Sequence, residues 1–278
     1  MEIRRSEKSG IHITSIEGQD LPLEAENNVA GVAGLAMLEA YNPQLGFEIR
    51  IVKNIKPGSG IGSSAASAAG TVAGINYLLG NPFSTKELIP FAMEGERLAC
   101  GSAHADNVAP ALLGGFTLVR DTNPLDICAL PTPLELVATV IHPKIEVKTA
   151  DARAVLKKRV TLEKAISQWG NVGALVSSLY EEDYDLLSRS LVDGIVEPAR
   201  SILIPYFSEL KAACEAAGAL GSGISGSGPS VFALSRGMST ANKVAQAMQS
   251  VFEKTTIPFD IHISPIKKTG VSFIEDLK

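Results

Sequence analysis

The stretch Pro57-Gly58-Ser59-Gly60-Ile61-Gly62-Ser63-Ser64-Ala65-Ala66 decides how this chain folds and what it binds. Before it, Phe47-Glu48-Ile49-Arg50-Ile51 alternates apolar and charged residues as a strand does. After it, Ala65 to Leu79 is a long run of apolar and small residues suited to a buried helix. Glycines let backbone N–H groups converge on one point, and the unpaired N–H groups and positive dipole end of the following helix add to that field. The combination predicts a phosphate cradle. A tight strand-to-helix turn that binds nothing is the alternative. The loop lacks the Gly-Lys-Ser/Thr ending of a Walker A motif, and glycines at 58, 60 and 62 do not fit dinucleotide spacing. The paired hydroxyls of Ser63 and Ser64 either cap the helix or ligate a phosphate-bound Mg²⁺.

Composition sets the outer bounds. With 278 residues and 45% apolar content the chain can bury a sizeable core, and it is expected to fold as two lobes. A net charge of −5 gives no general attraction to nucleic acid or anionic membrane, so binding of a polyanion must be local to the loop. Cys100, Cys128 and Cys214 are widely spaced and match no metal-ligand pattern, as expected of buried, inert thiols in a reduced compartment. Met1 to Lys8 has no apolar core for a signal peptide, and no apolar run approaches the roughly 20 residues needed to span a bilayer. A cytoplasmic protein with neither nucleic-acid nor membrane partners is expected.

Helical and strand patterns alternate irregularly without repeats, which gives an α+β class. The first lobe is expected over 1–130 and the second over 131–278, with the turn formers Asp121-Thr122-Asn123-Pro124 and Pro131-Thr132-Pro133 flanking the boundary. In the second lobe, strands are expected at Leu134 to His142, Val231 to Leu234 and Asp260 to Pro265. Helices are expected at Ala150 to Trp169, Asn171 to Tyr180 and Pro205 to Ala217.

Three ordered blocks resemble the small-molecule kinases that include galactokinase, homoserine kinase, mevalonate kinase and phosphomevalonate kinase, the GHMP family. The first is the loop Pro57 to Ala66. The second is Glu96-Arg97-Leu98-Ala99-Cys100-Gly101-Ser102-Ala103-His104-Ala105-Asp106-Asn107-Val108-Ala109-Pro110 with Gly114-Gly115, whose His-x-Asp-Asn-Val-x-Pro core is similar to the homoserine kinase branch. The third is Gly223-Ile224-Ser225-Gly226-Ser227-Gly228-Pro229-Ser230. The resemblance implies a ribosomal-S5-like first lobe, a ferredoxin-like second lobe and a homodimer. It further implies transfer of phosphate from Mg-ATP to L-homoserine. A related kinase acting on mevalonate or a sugar, and a non-catalytic nucleotide-binding relative, are the alternatives. The family's opening Pro-x-x-x-Ala-Asn-x-x-x-Gly-Phe-Asp motif has no counterpart here. Part of the substrate site is therefore expected to be missing from this sequence, and a chain starting at Met1 would leave a sheet edge open.

Residue by residue, the resemblance places nucleotide binding at Asn27, Pro57, Gly58, Ser59, Gly60, Ile61, Gly62, Ser63 and Ser64, with Asn28 a competing register for Asn27. Ser64 and Glu96 match the family's metal ligands and, with Asn107, its catalytic positions. Glu96 could otherwise be an exposed helical carboxylate, with Glu94 as its rival. Phosphoryl transfer needs positioning and neutralised charge more than covalent work by the protein. The family alignment puts Asn107, an amide and hence no base, at the catalytic position. Asp106 is then expected to satisfy backbone N–H groups in the loop. His104, Thr149, Arg153 and Arg200 match substrate positions, arginine being suited to a carboxylate by its planar fork. Thr149 is also a candidate helix cap, and both arginines are also candidate surface charges.

Overall fold

The structure, a computed structural model, describes residues 1–145, 147, 152 and 154–274, with the side chain of Cys100 excepted. The chain divides into two compact units. The first comprises Met1–Pro57, Gly62–Ala129 and Lys267–Lys278, and the second Gly58–Ile61 and Leu130–Ile266. Thr149 and Arg153 lie outside the described residues.

In the first unit, β1 (Glu2–Ser6), β2 (Gly10–Glu17) and β3 (Gly46–Val52) form a sheet in the order β1-β3-β2. β1 runs antiparallel and β2 parallel to the central β3. Alternation on β3 buries Phe47, Ile49 and Ile51. Against them pack α1 (Val29–Tyr41) and α2 (Ser63–Leu78), joined by α3 (Ile89–Cys100) and the short α4 (Val108–Leu113). α2 is buried on several sides, through Ala65, Ala68, Ala69, Val72 and Ile75, because its small residues let neighbours approach closely. The buried Thr71 hydroxyl folds back on the helix, donating to the Ser67 carbonyl at 3.0 Å. Asp121 to Pro124 closes the hairpin of β4 (Phe116–Thr122) and β5 (Leu125–Leu130), where the Asp121 carboxylate accepts from the Thr122 and Asn123 N–H groups.

The second unit is built on an antiparallel sheet in the order β7-β8-β6-β9, from β6 (Leu136–Pro143), β7 (Gly221–Ile224), β8 (Val231–Arg236) and β9 (Phe259–Pro265). Helices fall between β6 and β7 and between β8 and β9, which is the ferredoxin-like β-α-β-β-α-β arrangement. Helices among the described residues include α5 (Leu162–Glu181), α6 (Tyr184–Ser190), α7 (Glu197–Arg200), α8 (Phe207–Ala216) and α9 (Gly237–Phe252). Ile141, Val231 and Ala233 from the sheet meet Phe207, Leu210, Val244, Met248 and Phe252 from α8 and α9 in its core.

The helical expectations over Ala150 to Trp169 and Asn171 to Tyr180 are corrected. Residues 155–160 are not helical, and a single helix starts after Thr161, whose hydroxyl accepts from the Lys164 N–H, and runs through Gly170 without a break. That cap satisfies one of the helix's orphan donors, a start that the basic Lys157-Lys158-Arg159 run obscures. No helix among the described residues is long and apolar enough to cross a membrane.

Cys214 is fully buried on α8, and Cys128 half-buried on β5. Burial pushes the Cys214 thiol up to about 12 from 9.0. The folded thiol keeps its proton where the unfolded one ionises, so this contribution to stability is present below pH 9 and lost as pH rises from about 9 towards 12. Denaturant midpoints measured from pH 8 to 11 should fall more steeply for the wild type than for Cys214→Ala. Parallel slopes would show that the thiol does not drive the loss.

Candidate active site

The glycine loop is shaped from within the second unit. The third glycine block is the turn joining β7 to β8, closed by the Ser225 N–H on the Ser230 carbonyl and the Gly228 N–H on the Ser225 carbonyl, both at 2.9 Å. Its two serines reach the loop. The Ser225 hydroxyl donates to the Gly60 carbonyl at 2.8 Å, and the Ser230 hydroxyl to the Ser59 carbonyl at 2.6 Å. Gly60 has a φ of 81°, and a Cβ there would lie 2.5 Å from the Ser225 carbonyl oxygen and 2.7 Å from that of Gly228. Only glycine fits. Ser59 is 1% exposed, and its hydroxyl has no partner among the described residues.

Arg200, at the end of α7, donates through Nε to the Ala152 carbonyl and through Nη1 to the Gly226 carbonyl, both at 3.1 Å. The expected carboxylate-binding fork thus braces the same turn that holds the loop.

In the first unit, Gly62 begins α2 in a left-handed conformation at φ 73°, with open space where a Cβ would project. The helix start has no side-chain cap. Ser63 sends its hydroxyl back to the Ile55 carbonyl at 2.7 Å, so of the two readings for this pair it takes neither. Ser64 instead faces the Glu96 carboxylate and favours its ionised form. Glu96, on α3, is 2% exposed, and its Oε1 has no partner among the described residues. Burial pushes its carboxyl up. The Ser64 hydroxyl opposes that rise, the charge of Asp106 adds to it, and His104 and Lys53 pull back. The rival Glu94 is a half-buried carboxylate paired with Arg97 at 2.9 Å. Mg²⁺ takes few protein oxygens, and Ser64 with the unpartnered Glu96 oxygen suits it. Among the described residues no group of three or more His, Cys, Asp or Glu is arranged to hold a metal.

Sequence reasoning missed Lys53. It is 6% exposed, and its ammonium donates to the Ser63 carbonyl at 2.8 Å and the Ser67 hydroxyl at 2.6 Å, inside the first turn of α2. Burial lowers its pKa, and the charge of Glu96 opposes the fall. A cation at the positive end of a helix is a misplaced charge unless an anion is near. A lone lysine just after an alternating strand was the available signal.

His104, Asp106 and Asn107 are exposed ahead of α4. The Asp106 carboxylate accepts from the Asn107 N–H at 3.1 Å. Asn28 is buried and spent as the cap of α1, accepting from the Ala30 N–H and donating to the Pro22 carbonyl, whereas Asn27 is exposed.

The family model for the GHMP kinases N terminal domain matches residues 27–115, and that for the GHMP kinases C terminal region matches residues 175–254. The chain belongs to the GHMP kinase family. It is 48% identical over 283 residues to a homoserine kinase of Chlorobium phaeobacteroides (strain BS1), covering 97% of this chain and 88% of that protein. It is 39% identical over 236 residues to one of Methanococcus vannielii, covering 84% and 77%. The crystal structure of homoserine kinase from Cytophaga hutchinsonii superposes with a TM-score of 0.93 at 52% identity, covering 96% of this chain and 86% of that one. Within the family, the chain belongs with the homoserine kinases.

Two alanine variants separate crowding from conformation. Gly60→Ala must move hairpin backbone as well as adopt a left-handed residue, and should cost about 2 kcal/mol or more. Gly62→Ala faces open space and should cost only about 1 kcal/mol. Urea unfolding of both tests the order, and equal costs would show that the hairpin does not confine Gly60.

Proposed function

We propose that this chain transfers the γ-phosphoryl group of ATP to the side-chain hydroxyl of L-homoserine, forming O-phospho-L-homoserine and ADP, a step of threonine biosynthesis. The observation that carries the reading is the likeness to homoserine kinases over nearly the whole chain, at 52% identity and a TM-score of 0.93 for a solved one. The site chemistry supports it. The uncapped start of α2 offers N–H groups to an anion, next to a loop whose Ser59 and Gly60 carbonyls are already satisfied.

In this reading Gly58 to Ser64 receive the phosphates, Asn27 lies on the base side, and Ser64 and Glu96 hold Mg²⁺. When bound, the ion supplies positive charge against the phosphate oxygens. His104, Thr149, Arg153 and Arg200 serve the amino acid. The homoserine oxygen attacks the γ-phosphorus, the bond from that phosphorus to the bridging oxygen breaks, and the hydroxyl proton passes to the transferred phosphate or to solvent. Asn107 holds the hydroxyl in line, a positional contribution that does not require it to take up a proton. The carboxylate of Asp106, engaged by the Asn107 N–H, orients that residue.

Purified protein supplied with Mg-ATP should turn over homoserine and leave mevalonate and galactose untouched; preference for either of the latter would overturn the substrate. Asn107→Leu should lower kcat by on the order of a hundredfold with ATP binding kept, while Asp106→Asn keeps most of its turnover. The opposite ranking, in folded proteins, would make Asp106 the base. Arg200→Ala should raise the KM for homoserine by roughly ten- to a hundredfold, with lysine a poor substitute. A wild-type KM in that variant would return Arg200 to bracing the turn alone.

A further inference from the structure

We propose that His142, on the inner strand β6 of the second unit, is a positioning residue for the phosphate loop, acting through Ser230. The inference rests on the loop's reading as the ATP phosphate site. The Ser230 oxygen lies 2.6 Å from the Ser59 carbonyl and 3.1 Å from His142 Nδ1. A carbonyl only accepts, so the single hydroxyl proton of Ser230 goes to Ser59. Ser230 must then accept from the ring, which requires the proton on Nδ1. The result is a directed chain: His142 Nδ1–H donates to Ser230, and Ser230 donates to Ser59. Ser230 is 0% exposed, Ser59 1% and His142 5%, so solvent does not replace a missing link.

The chain bears on anion binding through peptide geometry. In a trans peptide the N–H points opposite to the C=O of the same plane. Holding the Ser59 carbonyl on Ser230 therefore turns the Gly60 N–H to the other side. Holding the Gly60 carbonyl on Ser225 does the same for the Ile61 N–H. The hydroxyls thus aim two loop donors away from the hairpin. By filling an acceptor position on Ser230, His142 keeps that hydroxyl's proton turned towards Ser59. This gives an otherwise ordinary buried histidine a part in nucleotide affinity.

The test uses the full chain and substitutions that separate the donor from the ring's bulk. The Asn amide can place an N–H near the position of Nδ1, whereas Phe keeps ring volume without a donor. ATP affinity by calorimetry should weaken about tenfold in His142→Phe and stay within about twofold in His142→Asn. The KM for homoserine should move in neither. Nitrogen-15 spectra of the wild type at pH 8, with the resonance assigned by its loss in His142→Asn, should show the Nδ1-protonated tautomer. An Nε2-protonated ring with bare Nδ1 would overturn the proposal even if a variant failed to fold. So would equal ATP affinity in the Phe variant and the wild type. A wild-type protein that binds no ATP would sink the reading of the loop itself, and the proposal with it.

Discussion

Gly60 has room for a hydrogen and nothing larger, and the carbonyls of Ser59 and Gly60 are both taken up by serine hydroxyls of one hairpin. Much of the site follows from this constraint. Buried carbonyls must be paired, and here their pairing also fixes the direction of the next N–H in each case. Gly58–Ile61 therefore belongs with the second unit although Pro57 and Gly62 on either side belong with the first. The left-handed Gly62 then starts α2 with no side chain to cap it. A serine at that position would offer its own oxygen to the first-turn N–H groups. Glycine leaves them without a side-chain cap.

The first unit keeps its charges near that helix start inside the protein, which is costly unless they balance. A buried carboxylate is tolerable when hydrogen-bonded and faced by positive charge. Glu96 has the Ser64 hydroxyl, with Lys53 and His104 both favouring its ionised form. Lys53 is held by the Ser63 carbonyl and Ser67 hydroxyl in turn. Because Ser63 spends its own hydroxyl on Ile55, the two adjacent serines divide the work: one secures the loop's exit, and the other meets the carboxylate.

The parts legible in the sequence were those with local signals. The glycine run, the small-residue helix α2, the alternation of β3 and the apolar stretches of β6 and β8 each announce themselves within a few residues. The Thr161 start was not legible, because the preceding Ala150 to Arg159 has residues as compatible with a helix as those that form one. The serine donors were quoted as part of a glycine motif. Their acceptors, however, stand 165 and 171 residues away, and no local pattern encodes a contact of that separation. Lys53 and His142 were obscure for the same reason. Each is a single residue whose meaning comes from what the fold brings to it, and His142 alone in a strand reads as ordinary packing.

The field around Glu96 also bears on how a hydroxyl proton is handled. Asp106 pushes the Glu96 carboxyl up, which is the signature of a second negative charge close by. A negative charge beside a buried carboxyl disfavours its ionised form, and a divalent ion held by Glu96 would reverse that preference. With an unpartnered oxygen on Glu96, the arrangement suits the cation. Asp106 already accepts from the Asn107 N–H, and in the proposed mechanism it contributes negative charge and holds the turn that presents Asn107. In the proposed mechanism the electron pair of the broken bridging bond leaves on ADP, and the hydroxyl proton passes to the transferred phosphate or to solvent. In that proposed mechanism orientation and charge do the work, so the amide of Asn107 needs no base beside it.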